Sequence, residues 1–297
     1  MTHIPVLLRE SIEALNLKPS HTVVDATHGG GGHALAICER LDSAGTYIGI
    51  DADPTAIENS PLNNYEAADQ PTIHLVNNNF SHLSDILRSL HIRHIHAILA
   101  DLGWRSDQFE SGGRGFSFQA NEPLLMTYGR PEDYPFTAYD IVNEWAEESI
   151  ADIIYGYGEE HAARRIARAI AKARAGKSIE TTADLVAVIE SVLPRRPGQR
   201  LNPATKIFQA LRIAVNDELG VLERFIAESY RLLEPRGRLA IISFHSLEDR
   251  VVKLAFREYV KNGGGELLTK KPITPTREEI ISNPRARSAK LRVLIKQ

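Results

Sequence analysis

Val23-Val-Asp-Ala-Thr-His-Gly-Gly-Gly-Gly-His33 is the stretch that decides the fold. A short apolar run, Thr22–Val24, reads as the end of a buried strand. Four glycines follow, and a helical apolar pattern then runs from about His33 to Leu41. Glycines between a strand and a helix let the backbone approach a ligand with no Cβ in the way. A second strand, Thr46–Ile50, leads into Asp51 within Gly49-Ile-Asp51. A carboxylate about twenty residues beyond such a turn can accept hydrogen bonds from both hydroxyls of a ribose.

The alternation continues outward from this turn. Asp53-Pro54 opens a helix, with Asp as N-cap and Pro at the first helical position. Thr72–Val76 reads as a third strand, Ser81–Leu90 as a helix and Ile95–Ala100 as a fourth strand. Strands and helices in this order predict an α/β fold with a doubly wound, mostly parallel sheet covered by helices on both faces. The pattern then breaks. Residues 104–135 are rich in Gly, Pro and aromatics and read as a long ordered loop, and 137–193 carry only helical periodicity. Helices over Ala204–Val215 and Leu219–Leu233 precede a turn at Glu234-Pro-Arg-Gly237 and a strand over Arg238–Ser243. A helix over Val251–Lys261 and short strands near Glu266–Thr269 and Lys290–Ile295 complete the chain. The expected organisation is a discontinuous α/β domain, 1–105 with 203–297, interrupted by a loop and helical domain over 106–202.

Composition narrows the class. The 297 residues are 43% hydrophobic and 25% charged, ordinary for a chain with its own core. The net charge of -3 argues against a generally basic nucleic-acid protein. No apolar run is long enough to cross a bilayer, and Ile4–Leu8 is too short for a signal-peptide core. The one cysteine, Cys38, sits among apolar helical neighbours and fits core packing in a reducing cytoplasm.

The turn alone does not choose its ligand. Gly29-x-Gly31-x-x-Ala34 also fits a dinucleotide fingerprint, so a nicotinamide dehydrogenase is the rival reading. Asp25 weighs against it, because an acid ahead of the glycines repels a pyrophosphate and suits the ammonium of an amino-acid cofactor. Asp101 ends the fourth strand in Leu99-Ala-Asp101-Leu-Gly103. Acids ending strands one, two and four suit a cationic sulfonium ligand. Phe80, after the third strand, can pack on an adenine, although taken alone it is better explained as a core aromatic.

Longer motifs add a resemblance. They include His3-Ile-Pro-Val-Leu-Leu-Arg-Glu10, Val24-Asp-Ala-Thr-His-Gly-Gly-Gly-Gly-His33 and Gly49-Ile-Asp-Ala-Asp-Pro54. Arg114-Gly-Phe-Ser-Phe118, Tyr157-Gly-Glu-Glu160 and Asn202-Pro-Ala-Thr-Lys-Ile-Phe-Gln-Ala-Leu-Arg212 follow. Ile242-Ser-Phe-His-Ser-Leu-Glu-Asp-Arg250 and Asn283-Pro-Arg-Ala-Arg-Ser-Ala-Lys-Leu-Arg292 close the series. In order and over nearly the whole length, the chain resembles the bacterial 16S ribosomal RNA cytosine-N4 methyltransferases (small-subunit methyltransferase H). The resemblance implies a class I S-adenosylmethionine-dependent methyltransferase fold with an inserted helical domain. It implies that S-adenosylmethionine lies on Gly31, Gly32 and His33, against Asp51, Phe80, Asp101 and Gln108. It implies 16S ribosomal RNA of the small subunit as partner, with N4-methylcytidine at the decoding site as product. The sequence departs from the family after Gly103, where Trp104-Arg105-Ser106 replaces a small apolar residue and two serines. It departs again at Pro123-Leu-Leu-Met-Thr-Tyr-Gly129, where the family carries Pro-Leu-Asp-Met-Arg-Met-Asp. A catalytically weak RNA-binding relative is the alternative that these departures suggest.

Methylating a cytosine amine needs an acceptor for its proton, because the amine's lone pair is delocalised into the ring. Asp101 is one candidate. Ser243 and His245, just after the fifth strand, are the others, with Phe244 able to stack on an extruded base. For Ser243 and His245, fixing a loop is an equally good reading. Basic residues cluster at Arg164, Arg165, Arg168, Lys172 and Arg174, at Arg195–Arg200, and at Arg285, Arg287, Lys290 and Arg292. The first cluster is read equally well as a phosphate-facing stripe or a solvated helix face, the second as a phosphate contact. The third lies near an expected edge strand, where charge prevents edge pairing. His91, His94 and His96 cross a helix–strand junction and read as surface histidines, not metal ligands.

Overall fold

The computed structural model describes residues 4–102, 113–194 and 202–297. The chain forms two compact units, 1–105 with 219–297 and 106–218. The junction expected at 202/203 falls instead at 218/219. The helix between them packs on the inserted helices and belongs with them.

The first unit is built on one seven-stranded sheet of order β3-β2-β1-β4-β5-β7-β6. Its strands are β1 Thr22–Asp25, β2 Thr46–Asp51, β3 Thr72–Asn77, β4 Ile95–Asp101, β5 Leu233–Ser243, β6 Gly265–Leu267 and β7 Lys290–Lys296. Strands β1 to β5 run parallel, whereas β7 is antiparallel to both neighbours. This is the mostly parallel, doubly wound sheet expected of a class I methyltransferase. Alternate residues serve opposite faces. Val23, Tyr47, Leu99, Ala240 and Ile242 pack on one side, with α1 Leu8–Leu15 and α2 Gly32–Cys38. Val24, Ile48, Ile98, Leu239 and Ile241 pack on the other, with helix Leu83–Ser89 and helices Glu218–Leu232 and Ser246–Lys261.

Two expectations change here. The turn at Glu234–Gly237 lies inside β5, where the register jumps from Ile95↔Leu233 to Ala97↔Arg238, and Arg236 takes a positive φ of 67°. Strand β7 lies between β5 and β6, so the charges of Lys290 and Arg292 protect no edge. They face Asp249, which accepts from Lys290 Nζ at 3.0 Å and Arg292 Nε at 2.7 Å.

The remaining helices of the first part of the chain are α3 Pro54–Glu58 and α4 Leu83–Ser89. In α3, Asp53 accepts from the Thr55 amide as the expected N-cap. The inserted unit holds α5 Ala138–Glu144, α6 Glu147–Gly158, α7 Ala163–Arg174, α8 Thr182–Val192 and α9 Ala204–Asn216. Capping boxes Thr137/Asp140 and Thr181/Asp184 start α5 and α8. The core of this unit includes Ile141, Ile154, Ile166, Ile170, Leu185, Ile189, Ile207 and Leu211, all inaccessible to solvent. After α9 come α10 Glu218–Leu232, α11 Ser246–Lys261 and α12 Arg277–Ser282.

Candidate active site

Asp25, Asp51 and Asp101 are the last residues of β1, β2 and β4. Those strands are adjacent in the sheet, in the order β2-β1-β4. Asp25 pairs in register with Gly49 and Leu99, so Asp51 and Asp101 stand two residues beyond it on either side and, at period two, on the same face of the sheet. The strand order reverses between β1 and β4, which is where an open α/β sheet leaves a crevice for ligands.

Each acid has a distinct environment. Asp51 accepts from the Gly29 amide at 2.8 Å and from the Asp53 amide at 2.9 Å, one on each oxygen. It thereby ties the glycine turn to the end of β2. Asp101 receives Thr27 from β1's extension, since its amide donates to Thr27 Oγ1 at 2.6 Å. Its carboxylate stands 3.8 Å from His33 Nδ1. The His33 Nε2–H donates to the Val6 carbonyl at 3.1 Å.

Asp25 is only 1% exposed. It accepts from the Thr27 amide at 3.2 Å and from the Tyr47 hydroxyl at 3.1 Å. Burial pushes its carboxyl up to about 7 against those two hydrogen bonds, and the charge of Asp51 adds to the rise. Behind it runs a buried polar chain. Tyr47 O lies 2.9 Å from His28 Nδ1, and His28 Nε2 lies 2.7 Å from Ser60 Oγ. Because the phenol donates to Asp25, His28 Nδ1–H donates to the phenol, and Ser60 O–H donates to Nε2. Gly49 makes the space, since a Cβ there would fall 2.8 Å from His28 Nδ1.

The glycines serve the fold as well as any ligand. Gly29 and Gly31 take positive φ of 56° and 76°. A Cβ on Gly31 would meet Pro61 Cγ at 2.5 Å, and one on Gly32 would meet Pro5 Cγ at 2.2 Å. Those two positions are covered by the protein's own prolines, while Gly30 is exposed. The N-terminal segment carrying Pro5 is held from the far end of the sequence. The Leu7 amide donates to Glu279 Oε1 at 2.7 Å, and Asn283 Nδ2 donates to the Ile4 carbonyl at 3.1 Å.

Phe80 is half-buried beyond β3 and meets Phe225 edge-on, with ring centroids 4.8 Å apart. Ser243 is buried at the end of β5 and donates to the Lys290 carbonyl. His245 is the N-cap of α11, its Nδ1 accepting from the Glu248 amide, while Glu248 accepts from the Phe244 amide at 2.8 Å. His245 Nε2 lies 3.1 Å from Glu248 Oε1, off the line of a hydrogen bond. Nδ1 is thus engaged in the cap, and the loop-fixing reading of Ser243 and His245 is the one this geometry favours. Gln108, Trp104, Arg105 and Ser106 lie outside the described residues, as does 195–201 with its basic loop.

Sequence reasoning did not single out Tyr47, His28 as a core group, Ser60 or Gly49. One signal was available. Tyr47, Gly49 and Asp51 share a face of β2 at period two, and a buried Tyr hydroxyl requires a partner. The altered segment 123–129 is tightly packed, with Leu124, Met126 and Thr127 fully buried. The Tyr128 amide donates to Asn216 Oδ1 at 3.0 Å, and its ring stacks on Phe116 at 5.7 Å. Of the histidine run, His94 pairs with Glu234 and His96 stacks on His21 at 4.4 Å. Among the described residues, no helix is long and apolar enough to cross a membrane.

Comparison with known proteins places this site in a family. The chain is 44% identical over 312 residues to Ribosomal RNA small subunit methyltransferase H of Symbiobacterium thermophilum, covering 99% of this chain and 96% of that one. It is 44% identical over 300 residues to the protein of the same name from Acidobacterium capsulatum, covering 99% and 98%. A solved rRNA methylase from Streptococcus thermophilus is similar at 13% identity and a TM-score of 0.42, over 100% of this chain and 98% of that one. The MraW methylase family model matches residues 1–297, and with relatives at this identity over its whole length the chain belongs to that family.

Proposed function

We propose that the protein transfers a methyl group from S-adenosylmethionine to the N4 amine of a cytidine in 16S ribosomal RNA of the small subunit, at the decoding site, in the cytoplasm. The observation that carries this reading is the row of strand-end acids Asp25, Asp51 and Asp101 at the point where the strand order reverses. Family membership and the names of the relatives support ribosomal RNA as the substrate.

The residues fit a cationic adenosyl ligand. Burial raises the carboxyl of Asp25 and the charge of Asp51 adds the smallest share, so a positive ligand at this edge favours the ionised acids. Asp51, at the end of β2, is the carboxylate proposed to accept from the ribose hydroxyls. Phe80 offers a half-buried ring to an adenine, and the turn Gly31, Gly32 and His33 forms the adjoining wall. When bound, the cofactor supplies a methyl group on a positively charged sulfur, already activated for displacement. The protein's task is then to orient the amine and accept its proton. Asp101 is the proposed acceptor. Asp25, turned inward to Thr27 and Tyr47, acts on the turn and on the local potential instead of touching the ammonium.

Calorimetry with S-adenosylhomocysteine, followed by mass mapping of small-subunit RNA lacking the modification, tests the reading. Binding, plus one added methyl on a cytosine amine, is expected. Replacing Asp101 by Asn should slow transfer by about 10²–10⁴-fold. Absence of S-adenosylhomocysteine binding, or quenching of NADH fluorescence in its place, overturns it.

A further inference from the structure

Helix α7 buries Ala163, Ile166, Ala167 and Ile170 and turns Arg164, Arg165, Arg168 and Lys172 to solvent. Between this face and α8 lies a groove of about 510 Å³, lined by Arg165, Arg168, Ala169, Lys172, Ala173, Val188, Ser191 and Val192. We infer that this groove is a track for one strand of RNA, with consecutive phosphates on Arg165, Arg168 and Lys172 and the sugars over the Ala169–Val188 floor. The inference rests on the reading of the protein as an RNA methyltransferase and names where in the inserted unit the RNA is held.

The cations are not all equivalent, and this separates a track from a solvated face. Arg174, the last of the stripe, is committed internally, donating to the Val142 and Trp145 carbonyls at 2.9 and 2.6 Å. The three cations on the groove are available. Arg165 spends one donor on the Val192 carbonyl at 2.9 Å, which orients its guanidinium at the groove wall and leaves the remaining donors. Arg168 meets Glu147 at 3.5 Å in a pair exposed to water, which is weak and readily exchanged for a phosphate. Lys172 is exposed and pairs with no acid among the described residues.

Arg165, Arg168 and Lys172 span seven residues along one helix face, about 10 Å at the helical rise. That length suits a short run of phosphates. No carboxylate appears among the described lining residues. The small apolar floor lies beneath a line of cations that can follow a backbone, the electrostatic half of a single-strand channel.

The test uses the full chain and a short fluorescein-labelled single-stranded RNA read by anisotropy. Arg168→Ala with Lys172→Ala should weaken binding about tenfold or more. It should also flatten the slope of log K against log salt by about 1.4, or about 0.7 per lost phosphate contact. Binding of S-adenosylhomocysteine should be unchanged, which shows that the fold is retained. Arg88→Ala with Arg93→Ala, both exposed on the other unit, removes the same charge and should leave RNA affinity as it was. If the wild type binds and methylates RNA while the double variant does so equally well, the groove assignment falls and the methyltransferase reading stands. If the wild type neither binds nor methylates RNA, both fall. Binding of polyglutamate that depends on Arg168 and Lys172, with RNA affinity unaffected, assigns the groove to an acidic protein segment and overturns the inference.

Discussion

Replacing Asp25 by Asn isolates the energetic role of the innermost acid. Burial raises the Asp25 carboxyl from 3.8 to about 7 in the folded protein, opposed by hydrogen bonds from Thr27 and Tyr47. Between those values the folded state holds a proton that the unfolded state has released. The contribution of Asp25 to stability is therefore complete below the unfolded value and is lost as pH rises through 7. One proton difference changes stability by about 1.4 kcal/mol per pH unit, so from about pH 5 to about pH 6.5 Asp25 should withdraw roughly 2 kcal/mol. The Asn variant keeps the shape and cannot ionise, so its stability should lack this decline. Urea unfolding followed by circular dichroism at fixed ionic strength, without cofactor, reads both proteins across that range. The gap between the two curves should open in favour of the variant as pH rises. Parallel curves would refute the reasoning, because they would mean that Asp25 is already ionised and solvated in the folded state.

Three further outcomes follow from the same geometry. Gly49→Ala drives a methyl against His28 Nδ1 and Leu75, and should cost about 1–3 kcal/mol in stability, with weakened S-adenosylhomocysteine binding by calorimetry. His245→Asn preserves an N-cap acceptor and should retain both stability and turnover, whereas His245→Ala should lose about 1 kcal/mol in urea unfolding. A large loss of turnover in the Asn variant would restore His245 as a proton acceptor. At Asp249, burial is outweighed by hydrogen bonds from Arg292 and Lys290, which hold its carboxyl below the usual range. Its stabilisation should therefore be present at neutral pH and disappear as pH falls through the low carboxylate range. Asp249→Asn should show a smaller acid-side loss in thermal melts than the wild type.

The sheet was legible because buried parallel strands are short apolar runs with acids and glycines at their ends. Thr46–Ile50 and Thr72–Val76 were each read to within one residue of the observed end. The placement of β7 was not legible, since no local signal in Lys290–Ile295 distinguishes a strand inserted between two others from one at the edge. The break at Glu234–Gly237 resembled a turn because a bulge and a turn use the same residues, and only pairing with β4 separates them. In the site, the strand-end acids were visible as residue types at fixed spacing. The partners of Asp25 were not, because Tyr47, His28 and Ser60 meet through tertiary packing. Likewise the glycines at 31 and 32 signalled a close approach, but the sequence does not say that prolines make it.

The hold of Glu279 and Asn283 on the N-terminal segment couples two stretches that lie far apart in sequence. Pro5 seats against Gly32, and Val6 receives the His33 proton, only where this segment is anchored by residues near the end of the chain. Removing Glu279 and Asn283 takes away both hydrogen bonds and leaves that wall of the turn unpinned. A change made near α12 therefore reaches the glycine turn through Pro5 and Val6.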